Sequence, residues 1–182
     1  MDIASFFGGV QAFADFFYSS PFGVVVLFFL ALFANATILF PILVEPVVVA
    51  LAAIAPDIFT ALLIGIVTGI ASAIGEMSGY IVGMLGVEKL RKMRKQQVEQ
   101  IFEYGEKLAN KGIPIIVLGA FTPFPFDLMG IAAGIIKYDP KKFFIGALLG
   151  KVPRYVLWAV GGFYGIDLLN AFFGWLKAFF GL

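Results

Sequence analysis

Histidine and cysteine are both missing from the 182 residues of this chain. Their absence excludes disulfides, iron–sulfur clusters, zinc sites built from thiolates or imidazoles, and every Ser-His or Cys-His catalytic arrangement. Any proton chemistry therefore has to use carboxylates, lysine or tyrosine. Because no pair of acids stands at catalytic spacing either, we expect no enzymatic activity, no cofactor and no metal site.

Charged residues are also scarce, at 14% of the chain, whereas 61% of the residues are hydrophobic and phenylalanine alone occurs 22 times. An average soluble domain is about half apolar and about a quarter charged. A water-soluble domain of this size could not bury so many apolar side chains. The composition therefore predicts an all-α integral membrane protein.

Lysine and arginine are absent from the first 87 residues, which contain five acids. These acids are Asp2, Asp15, Glu45, Asp57 and Glu76. Residues 88–111 then carry seven bases and four acids, and a second basic cluster follows at 137–142. The positive-inside rule predicts that both segments are cytoplasmic, in a multi-pass protein of the plasma or inner membrane. For residues 88–111 we weigh a surface-lying amphipathic helix against a solvated helical loop.

Two apolar stretches, residues 21–55 and 113–136, are each interrupted by prolines beside an acid. Proline lacks an amide donor and disfavours helix at the preceding residue, so these prolines break the helices. The breaking residues are Pro41, Pro46, Pro123 and Pro125. The segments after the breaks are too short to span a bilayer. We therefore predict two opposed re-entrant hairpins, with tips near 41–46 and 123–127.

The two hairpins align at a shift of 82 residues, and each precedes a long apolar span, at about 58–86 and 143–160. The alignment superposes Pro41 on Pro123, Glu45 on Asp127 and Asp57 on Asp139. Because a single span separates the hairpins, we predict an inverted-repeat helical bundle, against a chance alignment as the alternative. The predicted single membrane domain comprises an interfacial helix at 1–20, the first repeat at 21–86, the cytoplasmic amphipathic helix at 87–112, the second repeat at 113–162 and a C-terminal helix at 163–182.

Glycines recur at four-residue intervals in the first long span. The pairs are Gly65 with Gly69, Gly75 with Gly79, and Gly79 with Gly83. Small residues at this spacing let a second helix approach closely. We therefore expect other helices to pack against this face.

Five charged residues are predicted inside the membrane, where charges are costly and usually functional. They are Glu45, Glu76, Asp127, Lys151 and Arg154. The alternative for the two hairpin acids is a loop carboxylate, and for the mid-span Glu76 it is a structural ion pair. Lys151 and Arg154 stand three apart, on one helical face, and are the predicted partners of the acids. Arginine can also bind a phosphate in bidentate fashion.

The segments Phe121–Gly134 (FTPFPFDLMGIAAG) and Gly150–Tyr155 (GKVPRY) resemble the DedA family of SNARE-associated, or VTT-domain, membrane proteins, and most closely its YqaA-like branch. The similarity covers roughly residues 30–162. It implies two opposed re-entrant hairpins and lipid movement, with Glu45, Asp127 and Arg154 at the corresponding positions. Arginines common in the second hairpin of the family are replaced here by Ala120 and Phe126.

The function predicted on these grounds is a lipid translocase or scramblase for phospholipid or polyprenyl-phosphate lipid. Lys151 and Arg154 would bind the anionic headgroup while Glu45 and Asp127 compete for these bases. The expected partners are membrane lipids, with protons and a second copy of the chain as further candidates, and no nucleic acid. The alternative is a proton-coupled exporter of small cationic molecules, which would bind to the same acids.

Overall fold

A computed structural model describes residues 3–36, 44–85, 99, 103, 105–106, 109, 111–122 and 126–165 of the chain. The regular elements within these residues are all α-helices. In chain order they are α1 (Ile3–Ser19), α2 (Gly23–Ala36), α3 (Val44–Ala53), α4 (Ile58–Met84), α5 (Ile113–Phe121), α6 (Phe126–Ile135) and α7 (Pro140–Tyr164).

Two of the described helices, α4 and α7, are long and apolar enough to cross a membrane. Their 27 and 25 residues extend over about 40 Å and 37 Å, more than the ~30 Å of a hydrocarbon core. Both begin with an aspartate cap. Asp57 accepts a hydrogen bond from the Thr60 amide at 2.8 Å, and Asp139 accepts one from the Lys142 amide at 2.9 Å. Each carboxylate thus satisfies a free amide of the first turn and complements the positive end of the helix dipole.

Gly65 and Gly69 form the contact between α4 and α7. A Cβ atom at Gly65 would lie 2.7 Å from the Cα atom of Val156, and one at Gly69 would lie 2.6 Å from the Cα atom of Val152. Such backbone proximity requires residues without side chains. As the residue numbers of these contacts rise along α4, they fall along α7. The two helices are therefore antiparallel and begin at opposite ends of the bundle.

The short helices pack on the long ones in a crossed arrangement. Helix α2 lies mainly on α4 and α3 on α7, whereas α5 lies on α7 and α6 on α4. Contacts within the sequential pairs α2–α3 and α5–α6 are few by comparison. Helices α3, α5 and α6 have 10, 9 and 10 residues, about 15 Å each, or half of a hydrocarbon core.

The contacts also give the direction of each short helix. In all four pairings the contacting residue numbers rise together, so each short helix runs parallel to the long helix beneath it. The contacts are Leu32–Gly75 and Ala36–Ser78, Glu45–Arg154 and Val49–Gly162, Ile116–Gly146 and Ala120–Gly150, and Asp127–Gly79 and Ile131–Gly83. Because α4 and α7 are antiparallel, α2 and α3 run in opposite directions, as do α5 and α6.

The outer face of the bundle is apolar. The side chains of Leu63, Ile66, Ile70, Ile74 and Ile81 follow one another along α4 at helical spacing and are all exposed. The opposite face of α4 is buried and contains its glycines and polar residues. A helix that exposes isoleucine and buries glutamate reverses the pattern of water-soluble proteins, so the surface of the bundle suits a lipid environment.

The glycine contacts expected from the sequence are confirmed: α7 packs at Gly65 and Gly69, α2 at Gly75, and α6 at Gly79 and Gly83. The second long helix, Pro140–Tyr164, is longer at both ends than the span expected at 143–160. Prolines 41, 123 and 125, most of the basic segment 88–111 and residues 166–182 lie outside the described residues. The C-terminal helix was expected to begin at residue 163, but Phe163 and Tyr164 are the last residues of α7. Pro46 is described, and it lies exposed in the first turn of α3.

Candidate functional site

Arg154 of α7 contacts the start of one short helix, α3, and the end of another, α5. One guanidinium nitrogen, Nη2, forms an ion pair with the carboxylate of Glu45, in the first turn of α3. The other, Nη1, donates to the backbone carbonyl of Thr122 at 2.9 Å, at the C-terminus of α5. The last carbonyls of a helix have no partner within the helix and form the negative end of its dipole, so a cation is favourable there.

The Glu45–Arg154 pair is only partly buried. The Arg154 side chain retains 13% of its accessible surface and the Glu45 side chain 22%. A ligand can therefore reach the pair. The guanidinium of arginine has a planar pair of N–H donors, and a carboxylate or a phosphate can accept hydrogen bonds from both. An anionic ligand could therefore replace Glu45 on this side chain.

Lys151, one turn before Arg154, belongs to a second and deeper group. Its Nζ atom forms an ion pair with Oε1 of Glu76 on α4. The carboxyl group of Asp127, in the first turn of α6, interacts electrostatically with both residues. Lys151, Glu76 and Asp127 are 3%, 2% and 9% exposed. We call these three residues the buried trio.

Along α7, Lys151 stands between Tyr155 of one apolar core and Ala147 of another. One core contains Leu51, Ile64 and Tyr155, and the other contains Phe126 and Phe143 with their neighbours. The Phe126 ring stacks on that of Phe143, and the ammonium of Lys151 lies 5.3 Å from the Phe126 ring centroid. This cation–π contact partly replaces the hydration that a buried ammonium loses.

Charge counting distinguishes the two groups. The Glu45–Arg154 pair is neutral when both side chains are ionised, whereas two carboxylates and one ammonium give the buried trio a net charge of −1. Burying an uncompensated charge is costly. The buried trio is therefore neutral only when one of its carboxyls is protonated or when a further cation binds.

A buried row of polar side chains continues from Glu76 along α4. Ser72 and Thr68 follow Glu76 at four-residue intervals toward the start of the helix, and Asn35 of α2 packs beside Gly75. Within the described part of the chain, one oxygen of each side chain has no hydrogen-bond partner: Oε2 of Glu76, Oγ of Ser72, Oγ1 of Thr68 and Oδ1 of Asn35. The i, i+4 spacing of Thr68, Ser72 and Glu76 is visible in the sequence. Thr68, Ser72 and Asn35 were not expected there as site residues.

The five charged residues expected in the membrane thus lie along one region of the bundle, in two groups joined through α7. Lys151 and Arg154 each contact an acid, as their spacing on one face suggested. The sequence could not assign which base meets which acid, because these contacts join residues 75 and 109 positions apart. Among the described residues, no cluster of three or more acidic side chains could hold a metal ion.

Comparison with known proteins identifies a family. The model of the VTT domain matches residues 40–164, more than half of the chain, including both long helices and both groups of charged residues. No curated protein and no solved structure matches the chain. The YqaA-like branch suggested by the sequence stays a prediction, because the match concerns the domain as a whole.

Proposed function

Because the chain belongs to the family of VTT-domain membrane proteins, we propose that it moves phospholipid or polyprenyl-phosphate lipid across the bilayer, with Arg154 as the residue that binds the headgroup. The observation that carries this proposal is the position of Arg154. Arg154 is partly exposed. It contacts Glu45, at the start of α3, and the Thr122 carbonyl, at the end of α5.

The exchange of partners on Arg154 provides a mechanism. A phosphate that enters the region between α3 and α5 would displace the Glu45 carboxylate from Nη2, because both anions use the same donors. The Thr122 carbonyl would keep Nη1 in place during the exchange. When the phosphate leaves, Glu45 returns. A neutral resting pair of this kind avoids leaving an unpaired arginine in the bundle, which would be costly.

Lys151 provides a second cation for the headgroup. It stands one turn from Arg154 on the same helix, and Asp127 and Glu76 both compete for it. In our proposal, release of Lys151 from one carboxyl lets it contact the phosphate transiently, while the lipid tails stay in the bilayer along the apolar outer face.

The arrangement of the short helices supports a re-entrant, inverted-repeat architecture. Helices α2 and α3 run in opposite directions, as do α5 and α6, and the two pairs lie on antiparallel long helices. The capping aspartates Asp57 and Asp139 match at the 82-residue shift. Inverted repeats whose broken helices meet inside the membrane are typical of secondary transporters. We propose that the hairpins re-enter from opposite faces of the plasma or inner membrane, with residues 88–111 and 137–142 in the cytoplasm.

Reconstitution into liposomes that carry fluorescent lipids tests the proposal. A membrane-impermeant reductant bleaches the labels in the outer leaflet, and labels that move outward are bleached in turn. We expect the native protein to accelerate this second phase, and Arg154→Ala to abolish the acceleration. Lys141→Ala is the matched control, since it removes an exposed cation from the start of the same helix.

Equal rates of bleaching for Arg154→Ala and the native protein would refute the headgroup role of Arg154. If the native protein accelerates the bleaching of no labelled phospholipid or polyprenyl-phosphate lipid, lipid movement itself is refuted. Labels with different headgroups should be compared in the same preparation, because a residue that binds phosphate discriminates against lipids that lack it.

The second candidate, a proton-coupled exporter of small cations, is favoured by the composition of the buried trio, which has two carboxyl groups and one ammonium. An organic cation could take the place of a proton beside Asp127 and Glu76. Uptake of a cationic dye into the same liposomes, driven by a pH gradient and absent in Asp127→Asn, would support the exporter. Lipid movement without dye uptake would support the translocase.

A further inference from the structure

Four buried oxygens around the inner face of α4 have no hydrogen-bond partner in the described part of the chain. They belong to Glu76, Ser72, Thr68 and Asn35, whose exposed fractions are 2%, 0%, 0% and 1%. Thr68, Ser72 and Glu76 stand four residues apart and so lie on one face, about 6 Å from one to the next along the axis. We call these four residues the polar row.

Such oxygens are rarely left without partners. Serine and threonine in membrane helices usually bond to the carbonyl one turn earlier, but Ser72 and Thr68 do not. A buried polar atom without a partner is costly, and native proteins satisfy nearly all of them, with bound water where no protein group is available. Three of these oxygens are on one face of α4 and Asn35 packs beside Gly75 of the same helix, so one region of bound water can satisfy all four.

A metal cation is the less suitable occupant. The ammonium of Lys151 already lies on Glu76, the acidic member of the polar row, and repels a second cation there. The other three oxygens are neutral. Water can donate to all four and accept from the two hydroxyls, so it matches the chemistry of the polar row.

We propose that the polar row holds a chain of bound water that delivers protons to the buried trio of Glu76, Lys151 and Asp127. Glu76 belongs to both groups: one of its oxygens contacts Lys151, the other accepts no hydrogen bond, and its carboxyl group interacts with that of Asp127. Glu76 can therefore take up a proton from the bound water. Once Glu76 is neutral, Asp127 balances the positive charge of Lys151.

The transfer balances in atoms and charge. A hydrated proton gives its proton to the free carboxylate oxygen of Glu76, which forms an O–H bond and leaves a neutral water molecule. Lys151 stays protonated, and Asp127 becomes its counter-charge. The net charge of the buried trio changes from −1 to zero. The remaining charged groups on helices that pack against α4 are Glu45 and Arg154, which compensate each other, and Lys141 and Lys142, which are exposed at the start of α7. The described residues of α2 carry no charge.

This path is separate from the headgroup site at Arg154, so the two proposals fail independently. The proton path predicts proton movement in liposomes that contain no fluorescent lipid. Lipid movement without proton flux would overturn the path and leave the proposed function intact, and proton flux without lipid movement would do the reverse.

Thr68 provides a matched pair of variants for the test. Thr68→Val keeps the volume and removes the hydroxyl, whereas Thr68→Ser keeps the hydroxyl and removes a methyl group. The purified variants are placed in liposomes that enclose a pH-sensitive dye, and an imposed potassium diffusion potential drives protons inward. We expect Thr68→Val to slow the flux by about tenfold, which corresponds to a barrier higher by about 1.4 kcal/mol, and Thr68→Ser to retain most of it.

Ser72→Ala should slow the flux as Thr68→Val does, and Glu76→Gln should abolish it. Ser78→Ala is the control on the same helix, because Ser78 donates to the Ala36 carbonyl at 2.9 Å and lies outside the polar row. Thermal unfolding of each variant identifies misfolded protein, and the Thr68 pair keeps the test decisive if Ser72→Ala is unstable. Absence of flux in the native protein, equal flux in the two Thr68 variants, or a flux that requires sodium would each overturn the proposal.

Discussion

Asp57 and Asp139 have the same structural role 82 residues apart: each caps the first turn of one of the two long helices, by accepting a hydrogen bond from the amide three residues later. Because α4 and α7 are antiparallel, these matching caps lie at opposite ends of the bundle. The relationship is what two inverted copies of one helical unit would produce.

Opposite placement of the caps leads to a topology prediction. Single cysteines at Pro56 and Lys141, both exposed beside the caps, should be labelled from opposite sides of the membrane. The native chain contains no cysteine, so the signal has no background. An impermeant thiol reagent applied to intact cells should modify Pro56→Cys and should reach Lys141→Cys only after permeabilisation. Labelling of both from outside would contradict the antiparallel spans.

The ion pair between Lys151 and Glu76 predicts a non-additive effect on stability. Removing one member of a buried pair leaves the other charge uncompensated and typically costs about 3–5 kcal/mol. Lys151→Met should therefore unfold at lower denaturant than the native protein, and the double variant Lys151→Met, Glu76→Gln should recover much of the loss. Equal losses in the single and double variants would show that the pair contributes little.

The fork of Arg154 predicts that charge alone does not suffice at this position. Arg154→Lys keeps the charge but cannot reach both the Glu45 carboxylate and the Thr122 carbonyl with a planar pair of donors. We expect lipid movement to fall by at least about tenfold, equivalent to about 1.4 kcal/mol, with little change in thermal stability. Full activity of Arg154→Lys would reduce the site to a simple positive charge.

Asp127→Asn separates function from folding. The amide keeps the shape of the carboxyl but removes its charge and its ability to bind and release a proton. We expect activity in liposomes to be lost while the thermal unfolding temperature changes by only a few degrees. If the variant retains full lipid movement, Asp127 is a structural residue.

Close packing of α6 on α4 predicts strict size limits at two glycines. A Cβ at Gly83 would overlap the Ile131 carbonyl, and one at Gly134 would overlap the Tyr80 carbonyl. Gly83→Ala and Gly134→Ala should each destabilise the protein by about 1–3 kcal/mol, the usual cost of overpacking. Gly8→Ala is the control, since no atom lies within 4 Å of a Cβ there. Tolerance of Gly83→Ala at native stability would contradict the packing.

Much of the fold follows from the sequence alone. The composition indicates a membrane protein, the longest apolar stretch coincides with α4, and the four-residue glycine spacing identifies the face on which other helices pack. These features are local, because they depend on the number of apolar residues in one segment and on the 3.6-residue period of a single helix.

The tertiary structure decided which partners meet. The sequence offered two bases to three acids, and only the packing of α3 and of α4 on α7 assigned Glu45 to Arg154 and Glu76 to Lys151. It also placed Asn35 beside Gly75 of α4 and left oxygens of Asn35, Thr68 and Ser72 without hydrogen-bond partners in the described part of the chain. Pairing between residues far apart in the chain depends on how helices pack, and packing depends on the shapes of all contacting side chains together, which no single segment of the sequence contains.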